Sequence, residues 1–251
     1  MPHTDLGIPK IIFEDNDLLV AFKPANLLVH KTNFDFGEKR NLRNWISDYL
    51  GHEVHPVHRI DKPTSGLVLF SKQKSTTNFL QEQFVNHTAL KKYVALVRGF
   101  TNEGGIIEKP LSGSEGGEIR ACKTVFKKLC QIEIDQPVGR YATSRYSLVD
   151  IQPHTGRYHQ IRLHFSHLRN PIIGDTRHGD LHHNKTFREV YEIPNLMLHS
   201  YFLGIKHPNG QVLKINCDVP EYWGELFSKW GSTEFSSQSQ TLNYLQADLN
   251  Y

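Results

Sequence analysis

The chain has 251 residues, of which 38% are hydrophobic and 22% charged, as in a soluble globular protein with a sizeable core. A net charge of +3 permits a nucleic-acid partner without requiring one. The sequence contains neither a membrane-length apolar run nor a signal-peptide pattern, which predicts a cytoplasmic protein. Its three cysteines include no CxxC pair, so neither a disulfide framework nor a cysteine-based zinc site is expected.

The first half of the chain alternates short strands and helices. KIIFEDNDLLVAFKPANLLVH predicts two strands around a turn at residues 14–17, with Pro24 ending the second. NLRNWISDYLG predicts a helix that ends at Gly51, and GLVLFSK a buried strand. Ser75 is expected to cap a helix that runs to His87, before the strand LKKYVALVRG.

The second half begins with β-type segments, CKTVFKKLC and TSRYSLVDIQP. Thr155 is the expected N-cap of a helix whose core face carries Ile161, Phe165 and Leu168. HGDLHHN is interpreted as a loop. LMLHSYFLGI and QVLKIN predict a hairpin, and EYWGELFSKW predicts a helix packed on the core.

The order of these elements predicts the α+β class, with a mainly antiparallel sheet. No linker is long enough to separate two domains, so residues 1–230 are predicted to form one domain. Residues 231–251 begin with GSTEFSSQSQ and are predicted to be a polar, flexible C-terminal tail.

One carboxylate has an unusual setting. HPVHRIDKPTSGLVLFSK places Asp61 between Arg59 and Lys62, ahead of a turn and an apolar strand. Flanking cations stabilise an ionised carboxylate, so Asp61 is suited to be a nucleophile, a base or a salt-bridge partner rather than a general acid. The alternative is that this segment is only a solvated loop.

A basic segment lies between His154 and Arg188. Its cations outnumber Asp175 and Asp180, and histidines and Tyr158 lie among them. This pattern, together with the N-terminus of the expected helix, suits a polyanion with bases that stack. The alternative is a solvated helix face. The cations are Arg157, Arg162, Arg169, Arg177, Lys185 and Arg188.

A catalytic metal is not predicted. Two histidine sets are candidate metal ligands. Ligands on one helix face need separations of three or four residues, and in the first set only His164 and His167 satisfy this. The second set lies in HGDLHHN, a Gly-bounded loop without a matching carboxylate motif. GxxxxGK[ST], GxGxxG and GxSxG are all absent, which argues against nucleotide hydrolysis, dinucleotide chemistry and serine-based acyl transfer. The sets are His159, His164 and His167, and His178, His182 and His183.

Three ordered motifs carry a family resemblance. HRIDKPTSG resembles the HRLDxxTSG catalytic motif of the RluA family of RNA pseudouridine synthases, with Ile60 for the usual Leu. LKKYVALVRG and PHTGRYHQIRLH resemble the K-x-Y-x-A-x-V-x-G and TGRxHQIR motifs of that family. The resemblance implies a curved mixed sheet flanked by helices and loops, without an S4 domain. NPIIGDTRHGDLHHN and LMLHS resemble a branch that modifies uridine 65 of tRNA.

The same resemblance implies roles for individual residues. Asp61 would be the catalytic carboxylate, Tyr93 would stack on the target uracil, and Arg162 would pair with Asp61. Arg59 would fill the gap left by a uridine flipped from its stack. From the residues alone, Tyr93 would be an inward strand residue and Arg162 a phosphate contact. Further RNA contacts are expected from Lys62, Thr64, Arg157, His159 and Arg177.

We therefore expect a monomeric tRNA pseudouridine synthase that uses no metal or other cofactor. An alternative within this class is a synthase for another tRNA or rRNA uridine. A metal-dependent hydrolase would require a bound metal, and a non-catalytic RNA-binding protein would be indifferent to the loss of Asp61.

Overall fold

A computed structural model describes residues 7–31, 40–112 and 117–231. These ranges contain twelve strands and five helices. The strands are β1 (Lys10–Glu14), β2 (Leu18–Lys23), β3 (His55–Pro56), β4 (Ser65–Ser71), β5 (Leu90–Arg98), β6 (Gly104–Ile107), β7 (Leu111–Ser112), β8 (Ile119–Arg120), β9 (Thr124–Ile134), β10 (Ser144–Pro153), β11 (Leu198–Lys206) and β12 (Val212–Asn216). The helices are α1 (Leu42–Leu50), α2 (Lys74–Val85), α3 (Gln160–His167), α4 (Leu181–Glu189) and α5 (Glu221–Lys229).

The chain forms two compact units, and the first, the N-terminal unit, contains Thr4–Lys91 and Ser200–Cys217. Its strand order is β1-β2-β4-β11, with β3 pairing β4 and β12 pairing β11. The pairs β1–β2, β2–β4 and β11–β12 are antiparallel. Its core contains the side chains of Leu18, Val20, Leu67, Leu69, Leu80 and Leu203.

The C-terminal unit contains Lys92–His199 and the described residues after Asp218. Its strand order is β5-β10-β9-β6, with every neighbouring pair antiparallel, and β7 and β8 form a separate pair. Tyr146 is fully buried. Its ring stacks on Trp230 at a centroid distance of 5.2 Å and meets Phe187 edge-on at 5.5 Å. These aromatic contacts join β10, α4 and the end of α5.

The predicted α+β class with a mainly antiparallel sheet is confirmed. The hairpin of β11 and β12 and the α5 helix are confirmed as well. The expected single domain over 1–230 stays a prediction, and residues 232–251 of the expected tail lie outside the described residues. Within the described residues, none of the helices is long and apolar enough to cross a membrane.

Two expected helix starts were wrong. Helix α2 begins at Lys74, after Gln73 rather than Ser75. Helix α3 begins at Gln160, after His159 in a left-handed conformation with φ of 50°. The Gln160 side chain accepts hydrogen bonds from the Thr155 hydroxyl at 2.7 Å and from the Arg157 N–H at 3.1 Å, so Thr155 bonds a side chain instead of capping the helix backbone.

Two further expectations fail in the same region. Leu168, expected on the core face, is 40% exposed because α3 ends at His167. HGDLHHN, interpreted as a loop, leads into α4. The Asp180 carboxylate accepts hydrogen bonds from the backbone N–H groups of His182 and His183 and so caps this helix.

Candidate active site

Asp61 lies in a tight turn just before β4. The Thr64 N–H donates a hydrogen bond to the Asp61 carbonyl at 3.0 Å, which closes the turn. Ile60 and Thr64 are buried on either side of a partly buried Asp61, whereas Lys62 is exposed. The carboxylate is thus held between two buried anchors at a surface that a substrate can reach.

Gly66, next to this turn, is required by a close approach of backbones. Its φ is +120°, and a Cβ built there would lie 2.2 Å from the carbonyl oxygen of Ser200 in β11. A side chain would clash, and the backbone conformation itself favours glycine. The glycine of the Thr-Ser-Gly sequence therefore lets β4 enter the sheet directly after the turn.

His58 anchors the chain on the other side of Asp61. Its Nε2 accepts a hydrogen bond from the Leu69 N–H at 3.1 Å, and its ring stacks on Phe84 at 4.5 Å. Burial, and to a lesser degree the nearby charge of Lys91, lowers the pKa of His58 to about 3. The imidazole is therefore neutral at physiological pH and accepts through the lone pair of Nε2.

Lys23, at the end of β2, is a buried lysine beside the Asp61 turn that sequence reasoning missed. Its side chain is fully buried, and Nζ donates to the carbonyl oxygens of Pro24 at 2.9 Å, Leu27 at 2.7 Å and Lys62 at 3.0 Å. Burial lowers the pKa of Lys23 to about 7, while the charge of Asp61 acts in the opposite direction. The sequence signal was a lysine at the end of an apolar strand, directly before a proline.

Arg162 is held by a carboxylate that was not assigned a site role from the sequence. Its Nε donates to Asp175 Oδ2 at 2.7 Å and its Nη2 to Oδ1 at 2.8 Å. Both side chains are almost fully buried. Burial raises the pKa of the Asp175 carboxyl. The hydrogen bonds and charge of Arg162, together with two backbone N–H donors, lower this pKa by more than burial raises it, so the net shift is downward. Asp175 is therefore ionised and fixes the guanidinium plane.

Asp175 is in turn fixed by its neighbours. Its Oδ1 accepts from the N–H groups of Arg177 at 2.9 Å and His178 at 3.0 Å. The Asn184 side chain in α4 donates to the Asp175 carbonyl at 2.8 Å and accepts from the Gly174 N–H at 2.8 Å. The helix that sequence reasoning missed thus positions the carboxylate that orients Arg162.

An aromatic and imidazole cluster surrounds the start of α3. The rings of Tyr158 and His159 stack at 3.8 Å, and His159 Nδ1 lies 2.8 Å from His178 Nε2. Arg177 Nη1 donates to the Tyr158 hydroxyl at 2.7 Å, although the residue as a whole is exposed. Stacked rings beside an exposed guanidinium suit contacts with nucleic acid.

Tyr93 lies in β5, opposite Ile151 of β10, and is 8% exposed. Its expected stacking on a uracil stays a prediction.

The expected site residues fall into two groups. Arg59, Asp61, Lys62 and Thr64 lie on the turn segment of the N-terminal unit. In the C-terminal unit, Asp175 and its neighbours bring Arg162, Arg177 and His159 together at the start of α3. Arg157 lies just before α3, and its N–H donates to the Gln160 side chain. The pairing of Arg162 with Asp61 stays a prediction.

His164, one of the histidines considered as a metal ligand, lies beside two other polar groups. His164 Nδ1 lies 2.9 Å from the Thr124 hydroxyl, and its Nε2 lies 3.0 Å from the Lys109 carbonyl. Among the described residues, Asp15, Asp17 and His207 form one group of potential ligands. The Asn209 N–H donates to His207 Nδ1, and His207 Nε2 lies 3.0 Å from Asp15 Oδ2.

Comparison with known proteins identifies the class. Residues 17–167 match the family described as RNA pseudouridylate synthase. The chain belongs to this family, and the resemblance to the RluA family of pseudouridine synthases is confirmed. It is therefore an isomerase, and this assignment disfavours the metal-dependent hydrolase and the non-catalytic binding protein.

Individual relatives are similar to the chain over nearly its whole length. The chain is 36% identical over 236 residues to tRNA pseudouridine synthase C of Vibrio cholerae serotype O1, covering 90% of this chain and 97% of the relative. It is 37% identical over 231 residues to tRNA pseudouridine synthase C of Haemophilus ducreyi, covering 88% and 95%. The solved structure of human RNA pseudouridylate synthase domain containing 1 shares the fold, with a TM-score of 0.72, 22% identity and 98% coverage of both chains.

Proposed function

We propose that the chain isomerises uridine to pseudouridine in tRNA, at position 65, in the cytoplasm and as a monomer. The observation that carries this proposal is the ionisable Asp61 on a fixed turn between two exposed cations, within a sequence similar over nearly its whole length to enzymes named tRNA pseudouridine synthase C. The position within tRNA rests on the resemblance of the NPIIGDTRHGDLHHN segment.

The reaction suits a single carboxylate. Uracil is detached from C1′ of the ribose, rotated and joined again through C5, so no hydrolytic water has to be activated by a second acid. Asp61 would attack C1′, remove a proton from C2′ or add to C6 of the ring, and each of these roles requires the ionised form.

The other expected residues have complementary roles in this proposal. Tyr93 stacks on the uracil and Arg162 provides a counter-charge for Asp61. Arg59 occupies the gap left by the flipped nucleotide. The exposed cations and the ring cluster at the start of α3 contact the RNA. The residues proposed for these RNA contacts are Lys62, Arg157 and Arg177, together with Thr64 and His159, of which Thr64 is 2% and His159 9% exposed.

The test has a cellular and a purified arm. Pseudouridines are mapped in RNA from a strain lacking the protein and from strains that express the wild-type protein or Asp61→Asn. We expect position 65 of tRNA to be unmodified unless the wild-type protein is present. Loss of pseudouridine from another tRNA or rRNA position instead would reassign the substrate.

In the purified arm, Asp61→Asn should lower the rate by several orders of magnitude and leave RNA affinity nearly intact, because the amide keeps the shape of the carboxylate but not its reactivity. Readily measurable turnover by Asp61→Asn would contradict the role of Asp61.

A further inference from the structure

A surface of arginines and aromatic rings lies at one end of the β5-β10-β9 sheet in the C-terminal unit. Tyr141 is 61% and Phe100 39% exposed, so both rings are open to a partner. The guanidinium of Arg140 lies 5.2 Å from the centroid of the Tyr141 ring, and that of Arg145 lies 5.3 Å from the centroid of the Phe100 ring. Each ring is therefore held against a positive charge. The arginine–aromatic surface consists of Arg98, Phe100, Arg140, Tyr141 and Arg145.

Backbone hydrogen bonds fix the loops that carry both rings. The Gly99 N–H donates to the Arg145 carbonyl at 2.6 Å, which joins the loop after β5 to β10. Val138 and Tyr141 exchange two backbone hydrogen bonds at 3.1 and 3.2 Å, which close the tip of the β9–β10 hairpin. Val138 is itself buried and anchors this tip. Because the loops are already ordered, little further entropy is lost when a partner stacks on the rings.

The charges of the arginine–aromatic surface favour an anionic partner with planar groups. Arg98 and Arg145 each form an ion pair with a carboxylate, whereas Arg140 has no carboxylate partner among the described residues. The hydrogen bond and charge of Arg140 and, more weakly, the charge of Arg98 lower the pKa of the Tyr141 hydroxyl, so both guanidinium groups lie near this ring. Exposed rings stack on unpaired bases, and an exposed guanidinium binds phosphate. This combination fits RNA whose bases are unpaired.

The distance between this surface and Tyr93 selects one part of the RNA. Tyr93 and Arg98 both lie in β5, and the residues between them span about 17 Å at the rise of an antiparallel strand. The exposed rings lie beyond Arg98, about 20 to 30 Å from Tyr93 along the strand direction. In tRNA, the unpaired 3′ end begins about eight nucleotides after position 65, which is about 25 Å along a stacked stem. A uridine 65 held at Tyr93 would therefore bring the unpaired 3′ nucleotides to the arginine–aromatic surface.

We propose that the arginine–aromatic surface binds the unpaired 3′ end of tRNA, with bases stacked on Tyr141 and Phe100 and a phosphate at Arg140. The inference rests on the proposed function, because the distance is counted from a uridine 65 held at Tyr93. Stacking tolerates any base, so the surface reads the position of a free end rather than its sequence. It thereby favours a uridine at this distance from the 3′ end over other uridines of the same stem.

The experiment combines a change in the protein with a change in the RNA. Kd is measured at one salt concentration for a tRNA transcript and for the same transcript without its unpaired 3′ nucleotides. For the wild-type protein, we expect the truncation to raise Kd about tenfold, the scale of one base stacked on an aromatic ring. Tyr141→Ala should raise Kd for the full transcript by a similar factor. The truncation should then have almost no further effect, because both changes remove the same contact.

Two further variants serve as controls. Tyr141→Phe keeps the ring and should retain most of the response to truncation. Tyr49→Ala removes a ring of similar exposure, 59%, from the N-terminal unit and should leave the response to truncation unchanged. Circular dichroism and thermal unfolding establish that each variant is folded. If Tyr141→Ala does not fold, Phe100→Ala takes its place.

The outcomes distinguish this contact from the alternatives. A wild-type Kd in Tyr141→Ala would overturn the inference. Independent effects of Tyr141→Ala and of the truncation would also overturn it, since the surface would then contact another part of the RNA. Failure of the proposed function has a different signature, because the wild-type protein would leave position 65 of the full transcript without pseudouridine, whatever the Kd values show.

Discussion

Lowering the pH from 7 to 5 should destabilise the protein through His58. The ring has its Nε2 occupied by the Leu69 N–H and one face covered by Phe84, so the folded state resists protonation. Its pKa is about 3 in the folded protein against 6.5 in a model peptide. Between these values the unfolded chain binds the proton and the folded chain does not, so stability is fully present above pH 6.5 and falls as the pH approaches 3.

The size of the effect follows from the two pKa values. Each pH unit in that window corresponds to about 1.4 kcal/mol in the free energy of unfolding. The loss from His58 is therefore about 2 kcal/mol at pH 5 and about 3 kcal/mol at pH 4, relative to pH 7. These are upper values, because part of the residue is accessible and water reduces the cost of its charge.

Urea unfolding of the wild-type protein and His58→Gln at pH 7, 6, 5 and 4 measures this term. Gln retains an acceptor near the position of Nε2 but does not titrate, and titration of the other groups cancels in the difference. The variant lacks the stacking on Phe84, so it should be less stable than the wild-type protein at pH 7. The difference between the two free energies of unfolding should narrow by up to about 2 kcal/mol at pH 5. His52→Gln, at an exposed imidazole, controls for the exchange itself. Parallel curves for wild type and His58→Gln would refute the reasoning.

Three further results are expected. Gly66→Ala should lower the free energy of unfolding by more than about 3 kcal/mol, because the added methyl meets the Ser200 carbonyl and the backbone is left-handed. Urea unfolding measures this change, and a value below about 1 kcal/mol would contradict the close approach. Arg162→Lys keeps the charge but loses the bidentate geometry, so turnover at saturating RNA should fall while the salt dependence of binding is unchanged; a normal rate would exclude the catalytic role. Arg157→Ala should instead weaken RNA binding across sequences and reduce the salt slope by about one, with a normal rate at saturation; an unchanged slope in binding titrations would rule out a phosphate contact.

The turn of Asp61 and its entry into β4 were predictable because the signals are contiguous. The acid, the Thr-Ser-Gly sequence and the apolar run lie within a dozen residues, and local rules connect a turn to a buried strand. The reason for Gly66 was not available from the sequence, since the carbonyl that excludes a side chain belongs to Ser200, more than 130 residues later.

The starts of α3 and α4 differ from the sequence prediction because side-chain hydrogen bonds changed where each helix begins. Thr155 has the right chemistry for a cap, but the Gln160 side chain takes its hydroxyl, and the helix begins only after the left-handed His159. Helix α4 was missed because Phe187 is its one buried residue, which leaves little apolar periodicity. The capping carboxylate of Asp180 was the signal that would have predicted this helix.

Buried charge was the part of the candidate site that the sequence did not predict. Lys23 and Asp175 look like surface residues by type, and their partners are backbone carbonyls or an arginine from another element. Burial of a charge depends on the tertiary contacts that satisfy it, and those contacts have no local pattern.

Lys23 and Asp175 show how polar groups at the candidate site are held in place by buried polar side chains. The proposed reaction requires Asp61 and the guanidinium of Arg162 to keep a fixed orientation. Apolar packing does not fix the direction of a polar group, whereas hydrogen bonds to a buried polar side chain do. Lys23 does this for the peptide after Asp61, and Asp175 does it for Arg162. Loss of either side chain leaves polar partners buried and unpaired, so the free energy of unfolding should fall for substitutions at these positions. Arg59 and Lys62 are exposed, so substitutions there should change RNA affinity with little effect on the free energy of unfolding.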